Sequence, residues 1–443
     1  MRDKVSIGLL GLGVVGSGVI KLIENHQEKL VHQLGCEVSV KSVLVRSLDK
    51  TRNVEVDRTF LTTNPDDIIN DPEIDVIVEV MGGIEETYQY ILNAFANKKH
   101  VVTANKDLVA LYGTNLEAAA RKNKCDFYYE ASVAGGIPIL RGIADGLSSD
   151  RIQKVMGIVN GTTNYILTKM SNEGVSYLDA LKEAQELGFA EADPTADVEG
   201  LDAARKMAIL GRLAFSTDVA LEDVEVTGIK SLELEDLQYG DKFGYAMKLI
   251  GYAQSKDHQI EVSVQPTLLS KEHPLADVKN EYNAVYVYGE AVGETMFYGP
   301  GAGSLPTATA VVSDLVTVIK NMRLGVSGTH SLEARFKKEL RSADQRSGQY
   351  YLRIHVKDRV GAFSEISTLF NDLEISFKRI LQTPIKKRES AEIILVTHQT
   401  SLDNFQHALD QLKKLEVVLQ LKSYYKVEGD AAYELAGTTK TLS

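Results

Sequence analysis

The chain has little sulfur, a deficit of positive charge and no long apolar run. Only two of its 443 residues are cysteines, Cys36 and Cys125. Two isolated thiols build no disulfide framework and lack the Cys-x-x-Cys spacing of a metal site. Such usage fits a reducing, cytoplasmic setting. The nine histidines are scattered without ligand spacing, which argues against a divalent-metal enzyme. Lys and Arg number 49 against 61 Asp and Glu, for a formal net charge of −12. An acidic surface argues against nucleic acid as the main partner, because phosphate binding needs clustered basic residues. It leaves room for a local basic pocket. No stretch of ~20 apolar residues occurs, so no membrane span is expected. The opening MRDKVSIGLLGLGVVGSGVI imitates a signal peptide, but Gly8, Gly11, Gly13, Gly16 and Gly18 interrupt its apolar run.

What remains is an ordinary globular composition, 44% apolar and 25% charged. At roughly 100–200 residues per domain, the length predicts two to four domains. Residues 4–130 alternate strand-like and helix-like segments. Val5–Leu10, Val38–Val45, Asp75–Val80, His100–Thr103 and Asp126–Glu130 read as strands. Val14–Leu34, Glu85–Asn97 and Leu108–Lys122 read as helices. Strand and helix in regular turn predict an α/β fold with a parallel sheet covered on both faces, the Rossmann type, over residues 1–133. From about residue 134 the texture becomes mixed. Helices are expected at Thr163–Glu173, Ser176–Leu187 and Leu201–Phe215, and strands at Ile260–Leu268 and Ala284–Val292. This predicts an α+β unit over 134–326, whose last helix, Thr307–Met322, is expected to pack back on the first domain through residues 300–325. A polar linker follows over 327–348. Residues 349–428 then read βαββαβ, the ferredoxin-like order, and 429–443 form a polar, frayed tail.

Gly11-Leu12-Gly13-Val14-Val15-Gly16 lies between a predicted strand and a predicted helix. Glycines there allow a tight turn and let backbone amides approach a pyrophosphate at the helix N-terminus. In this context the pattern predicts a dinucleotide site. The second strand ends Leu44-Val45-Arg46-Ser47, and Arg46 with Lys50 favours the 2′-phosphate of NADP over NAD.

Three further stretches carry polar chemistry. Val101-Val102-Thr103-Ala104-Asn105-Lys106 places a lysine at the carboxyl edge of the sheet, where ligands bind; a solvated loop lysine is the plain alternative. Val159-Asn160-Gly161-Thr162-Thr163-Asn164 reads first as a helix cap. In Gly188–Lys206, Glu191, Asp193 and Asp197 crowd a turn, and Asp202 and Lys206 stand four apart on one helix face with Ile209 and Leu213. Alone, that pair is an ordinary surface ion pair; partly buried, Lys206 becomes a usable proton donor. Cys125 follows Lys122 and Lys124 and is weighed as a thiolate nucleophile, but a small buried thiol is the better reading.

Taken together, the glycine loop, the TANK segment, NGTTNYIL, GFAEADPTADVEGLDAARK and Gly299–Ala308 (GPGAGSLPTA) resemble the homoserine dehydrogenase family, in that family's order, across about 300 residues. The resemblance implies reversible NAD(P)H-dependent reduction of aspartate 4-semialdehyde to homoserine, with residues 134–326 as the substrate-binding, catalytic and dimerisation domain. It implies Lys206 as proton donor, with Lys106 at the junction of cofactor and substrate and Asp202 orienting them. Glu191, Asp197, Asp202, Gly161 and Thr162 would bind substrate. Gly301 would join Gly11, Leu12, Gly13, Val14, Val15, Gly16, Arg46 and Lys106 at the cofactor. It also implies a monovalent cation, sodium, near Glu130, Val133, Gly135 and Ile137. Residues 350–426 resemble the ACT module, with His355–Phe363 as its effector turn; Asp358, Val360 and Gly361 are the candidate contacts, and threonine is the expected effector. A module without ligand that serves only to pair subunits is the alternative. Either way a homodimer or homotetramer is expected. No kinase-like segment precedes Met1–Gly18, so a single activity is expected. Two other readings compete: another Rossmann-type amino-acid or semialdehyde dehydrogenase, and a dinucleotide-dependent sensor that has lost catalysis.

Overall fold

The computed structural model describes residues 3–50, 54, 56–329, 334–385 and 389–429; the expected tail beyond Gly429 lies outside them. Six strands form the first sheet: Lys4–Leu10 (β1), Glu37–Leu44 (β2), Leu61–Thr62 (β3), Val76–Glu79 (β4), His100–Thr103 (β5) and Phe127–Tyr128 (β6). All pairings are parallel, in the order β3-β2-β1-β4-β5-β6. This is the Rossmann order, whose strand order reverses between β1 and β4 and opens a crevice there. Every residue of β4 and β5 is buried, as a strand covered on both faces must be.

The expected helix Val14–Leu34 is two helices, Val14–Asn25 (α1) and Gln27–Leu34 (α2), broken at His26. Its buried apolar stripe runs Val19, Ile20, Ile23 and then skips to Leu30 and Leu34. The polar residues His26 and Gln27 fall where the next core contact was due. The expected strand Asp126–Glu130 is also shorter. Asp314 accepts the Glu130 amide at 2.8 Å, and the chain curls into a single tight turn over Glu130–Ser132. Glu85–Ala96 (α3) and Lys106–Lys122 (α4) complete the βα pattern.

The second sheet has eleven strands. Ile152–Ile158 (β7), Val224–Val226 (β8), Tyr245–Lys256 (β9), Gln259–Ser270 (β10), Tyr282–Gly289 (β11) and Gly293–Pro300 (β12) come from the middle of the chain. Ser347–Lys357 (β13), Phe377–Ile385 (β14), Ser390–Thr397 (β15), Thr400–Ser401 (β16) and Val418–Glu428 (β17) come from its end. The main path is β12-β11-β7-β9-β10-β17-β13-β15-β14, with β8 beside β10 and β16 beside β13. The last four strands of that path are the ferredoxin-like unit. The middle unit and this one were read as separate sheets, yet Thr267–Leu269 of β10 pairs parallel with Lys426–Glu428 of β17 and fuses them. Pairing between segments so far apart leaves no local signature in either.

Helices Gly161–Glu173 (α5), Tyr177–Glu186 (α6), Leu201–Phe215 (α7) and Leu234–Lys242 (α8) belong to the middle of the chain. The 21-residue helix Ser304–Leu324 (α9) packs against α1. A Cβ at Gly18 would lie 2.6 Å from the Ser304 carbonyl oxygen, so glycine lets the two helices touch. Ala362–Asp372 (α10) and Leu402–Leu412 (α11) cover one face of the C-terminal strands. The opposite face meets α8 through a buried ion network. Arg353 reaches Asp236 at 2.7 Å, Glu233 at 2.7 Å and Glu392 at 3.0 Å. Among the described residues no helix is long and apolar enough to cross a membrane.

Candidate active site

The glycine loop shows three different needs. Gly11 has φ +106°, and its amide bonds the Leu44 carbonyl at 3.1 Å. A Cβ there would lie 2.8 Å from Met81 Cα; at Gly16 it would lie 2.2 Å from the Gly11 carbonyl oxygen. These two are glycines for packing. Gly13 has φ −90°, and a Cβ there would meet nothing within 4 Å. It precedes α1 without any side-chain cap, which leaves the first-turn amides to a ligand or to water. An open glycine above uncapped amides is a cradle for a pyrophosphate. Leu12 and Val15 flank it half-buried, Val14 is exposed, and Arg46 stands exposed just past the end of β2.

At the end of β4, the buried Glu79 carboxylate accepts from the amides of Met81 (2.8 Å) and Gly82 (3.1 Å) and from Thr103 Oγ1 (2.5 Å). Burial raises its pKa against those bonds. Asn105 caps α4 by accepting from the Leu108 amide at 3.1 Å, and donates to the Gly83 carbonyl at 2.7 Å. Lys106 is therefore fixed as the first residue of α4. Helix α4 packs on α7 so closely that a Cβ at Gly113 would lie 2.4 Å from the Arg212 guanidinium.

That packing brings Lys106 to Asp202, the second residue of α7. Asp202 Oδ1 lies 3.2 Å from Lys106 Nζ, and Oδ2 lies 2.7 Å from Lys206 Nζ. Lys206 donates a second hydrogen bond to the Val159 carbonyl at 2.6 Å. An ammonium has three N–H donors, so one remains for a ligand. Asp202 is buried, which pushes its carboxyl pKa up, but the two lysines outweigh this and hold it well below the usual range. Burial pushes Lys106 down, and the Asp202 carboxylate turns the balance upward.

Asn160 was legible only as a cap. It does cap α5, accepting from the Thr163 amide at 2.9 Å, but its Nδ2 also donates to Asp197 (2.6 Å) and Asp202 (2.9 Å). It is the residue that joins the acids into one cluster, and no sequence pattern reports its spare amide protons. Burial raises the Asp197 carboxyl, opposed by Asn160 and assisted by the Asp202 charge. Thr162 Oγ1 donates to the Phe189 carbonyl at 2.6 Å, and a Cβ at Gly161 would lie 2.6 Å from the Glu281 carbonyl oxygen. Glu191 stands exposed on the loop after α6; its backbone carbonyl accepts from Gln185 at 3.1 Å. Behind Gly161, Asn164 donates to the carbonyls of Val278, Asn280 and Tyr282 and accepts from Lys248 at 3.1 Å. Burial pushes the Lys248 ammonium down to about 8.

The expected cation loop is wholly backbone-shaped. Ala134 and Gly135 are both left-handed, at φ +55° and +53°. Glu130, Val133, Gly135 and Ile137 are buried. The Glu130 carboxylate is engaged elsewhere, accepting from the amides of Leu140 and Arg141 at 2.8 Å each. Among the described residues no backbone amide outside the regular elements donates to the Val133 or Gly135 carbonyl. Gly301 abuts this loop: a Cβ at Gly135 would lie 2.4 Å from the Gly301 carbonyl oxygen. Asp358, Val360 and Gly361 share one exposed turn before α10, where Gly361 has φ +89° and Val360 is 99% exposed. Cys125 is buried, and burial pushes its thiol up to about 11, the opposite of an activated nucleophile.

Comparison with known proteins bears on all three units. The family model for the homoserine dehydrogenase NAD-binding domain matches residues 11–130, the homoserine dehydrogenase model matches 138–316, and the ACT domain model matches 350–417. The chain is 61% identical to a homoserine dehydrogenase of Bacillus subtilis over 427 residues, covering 96% of this chain and 99% of that protein. The structure of a homoserine dehydrogenase from Thiobacillus denitrificans superposes with a TM-score of 0.90 at 39% identity, covering 96% of this chain and 98% of that one. A hyperthermophilic archaeal homoserine dehydrogenase in complex with NADPH matches with a TM-score of 0.61 at 27% identity, covering 72% of this chain and 98% of that one.

Proposed function

This chain belongs to the homoserine dehydrogenase family, and from that premise we propose that Lys206 is the proton donor of its reaction, held in place by Asp202. The family's reaction interconverts aspartate 4-semialdehyde and homoserine with a nicotinamide cofactor. The observation that carries the assignment is the sharing of one carboxylate by two ammonium groups, with one Lys206 N–H left over.

When bound, the nicotinamide supplies or accepts the hydride. The open Gly13 cradle fits its pyrophosphate. Gly11, Leu12, Val14, Val15 and Gly16 shape that turn, Gly301 covers the far end, and Arg46 selects NADP by facing a 2′-phosphate. Lys206 gives its proton to the developing alkoxide on aldehyde reduction and takes it back in the reverse direction. Lys106, also in reach of Asp202, adds positive charge where the alkoxide forms. Asp202 raises the pKa of Lys106 and holds the Lys206 amine in place at 2.7 Å. Asp197 and Glu191 receive the substrate ammonium, and Gly161 and Thr162 form the wall that leaves it room.

The carbonyls of Glu130, Val133, Gly135 and Ile137 would hold a sodium ion, with those of Glu130 and Ile137 each also accepting one backbone amide; carbonyl oxygens suit a hard cation. Asp358, Val360 and Gly361 bind threonine as a feedback effector, at a contact between subunits of a homo-oligomer. The division into residues 1–133, 134–326, 327–348 and 349–428 belongs to the same proposal, as does a cytoplasmic setting, which the two unpaired buried thiols favour. Homoserine oxidation followed by NADPH absorbance, with NADP and NAD in parallel and with threonine added, tests the reading. Turnover that prefers NADP and falls with threonine is expected. A protein that binds cofactor but leaves homoserine untouched contradicts it and favours a sensor.

A further inference from the structure

We infer that Asn283 holds the carboxamide of the nicotinamide ring through a paired amide–amide contact. This rests on the reading that the cofactor reaches Gly301. Asn283 is 1% exposed, and its Oδ1 has no hydrogen-bond partner. A buried amide oxygen left unpaired costs stability, and such a group is retained where a ligand completes it.

Its place in the fold says which ligand. Ala284 of β11 pairs with Ile158 of β7, so Asn283 comes level with Val159, the residue whose carbonyl anchors Lys206 at 2.6 Å. On its other side lies Gly301. A Cβ at Gly301 would sit 2.0 Å from Asn283 Nδ2 and 2.5 Å from Oδ1, so the amide is seated directly against that backbone. Three residues on, the Ser304 hydroxyl donates to the Val14 carbonyl at 2.7 Å, in the first turn of the helix above the phosphate cradle. Asn283 is thus linked through Gly301 and Ser304 to the first turn of the cradle helix, and through Val159 to the proton donor. A dinucleotide laid from the cradle towards Lys206 brings its nicotinamide end to this segment.

The chemistry narrows it further. A side-chain amide offers an acceptor and an N–H donor side by side, and a carboxamide offers the complementary pair. The substrate has better partners nearby: on the proposed reading its ammonium meets the acids Asp197 and Glu191, and its carboxylate and alkoxide meet lysines. Asn283 is a neutral amide with an unpaired acceptor, matched to the neutral end of the cofactor.

The test compares NADPH with its 3-acetylpyridine analogue, which replaces the carboxamide NH2 by methyl, by calorimetric titration without substrate. The proteins are the native chain, Asn283→Leu and the smaller Asn283→Ala; unfolding midpoints are taken without cofactor. The native chain should prefer NADPH by roughly tenfold, the value of one well-made hydrogen bond. Both variants should bind the two cofactors alike and more weakly than the native chain binds the analogue, because they lose both bonds and the analogue only one, with unfolding midpoints that do not fall in the Leu variant. Variants that still prefer NADPH overturn the inference. So does a Leu variant that loses stability without cofactor, because Asn283 is then a structural amide. A native chain that binds NADPH without discriminating against the analogue overturns it too. A native chain that binds neither overturns the cofactor reading at Gly301 along with it.

Discussion

Replacing Asp202 with asparagine keeps the shape of the side chain and removes the charge shared by two lysines. The two contacts are 3.2 Å to Lys106 and 2.7 Å to Lys206. At an effective dielectric near 20, unit charges about 4 Å apart attract by about 4 kcal/mol, and breaking one side of a buried pair costs about 3–5 kcal/mol. Lys106 is a third exposed, so solvent screens its share, while the Lys206 side chain is only 12% exposed. Most of the loss therefore falls on the proton donor. Each 1.36 kcal/mol is a factor of ten in rate, so kcat/KM for homoserine oxidation should drop by about 100- to 5000-fold. The pH profile should change as well. Asp202 is what raises the Lys106 pKa against burial. Without it the ammonium loses its proton at lower pH, and the alkaline limb of the profile moves down. Asp202 touches no part of the glycine cradle, so cofactor affinity should stay native. The assay is the full pH dependence of kcat and kcat/KM for native and D202N, with cofactor binding as control. Activity within threefold of native and an unmoved alkaline limb would refute the reasoning.

Gly13→Ala should fold with native stability yet weaken cofactor binding about tenfold or more, because its Cβ meets open space only until a pyrophosphate arrives. Gly16→Ala should instead lower the unfolding midpoint, since its Cβ meets the Gly11 carbonyl oxygen at 2.2 Å; equal effects in both variants would contradict the division of roles. Arg46→Ala should raise KM for NADP and leave KM for NAD unchanged, a contrast read from parallel steady-state kinetics. Lys248 has its pKa lowered by burial to about 8 from 10.5. Its contribution to stability is fully present above the unfolded-state value and is lost as pH falls through the folded one. Native stability measured against Lys248→Met should therefore grow by about 2 kcal/mol between about pH 8 and about pH 10; urea unfolding with a flat difference would contradict it.

Much of the site was legible because its signals are local. The spacing of Gly11, Gly13 and Gly16 is set by a turn of six residues, and Asp202 and Lys206 share a face through one helical turn. What was not legible depends on contacts distant in the chain. Lys106 meets Asp202 only because α4 packs on α7 at Gly113 and Arg212. Asn160 looks like any helix cap until its second set of donors is seen reaching Asp197 and Asp202. The break at His26 was missed because an amphipathic pattern tolerates one absent contact, whereas the packed stripe does not. The Glu191 side chain is exposed, and the hydrogen bonds that join Asn160, Asp197, Asp202 and Lys206 do not include it. The fused sheet had no sequence signal at all: three residues of β10 meet three of β17, and both segments read as complete strands without each other.

Homoserine oxidation by Lys206→Ala, beside the native chain and with NADPH binding measured on both, decides whether Lys206 is the proton donor. Native cofactor affinity and a loss of activity of at least about a thousandfold are expected, because general acid–base catalysis and charge at the alkoxide leave together. Near-native turnover would reduce Lys206 to half of an ion pair with Asp202 and would move the proton donor elsewhere.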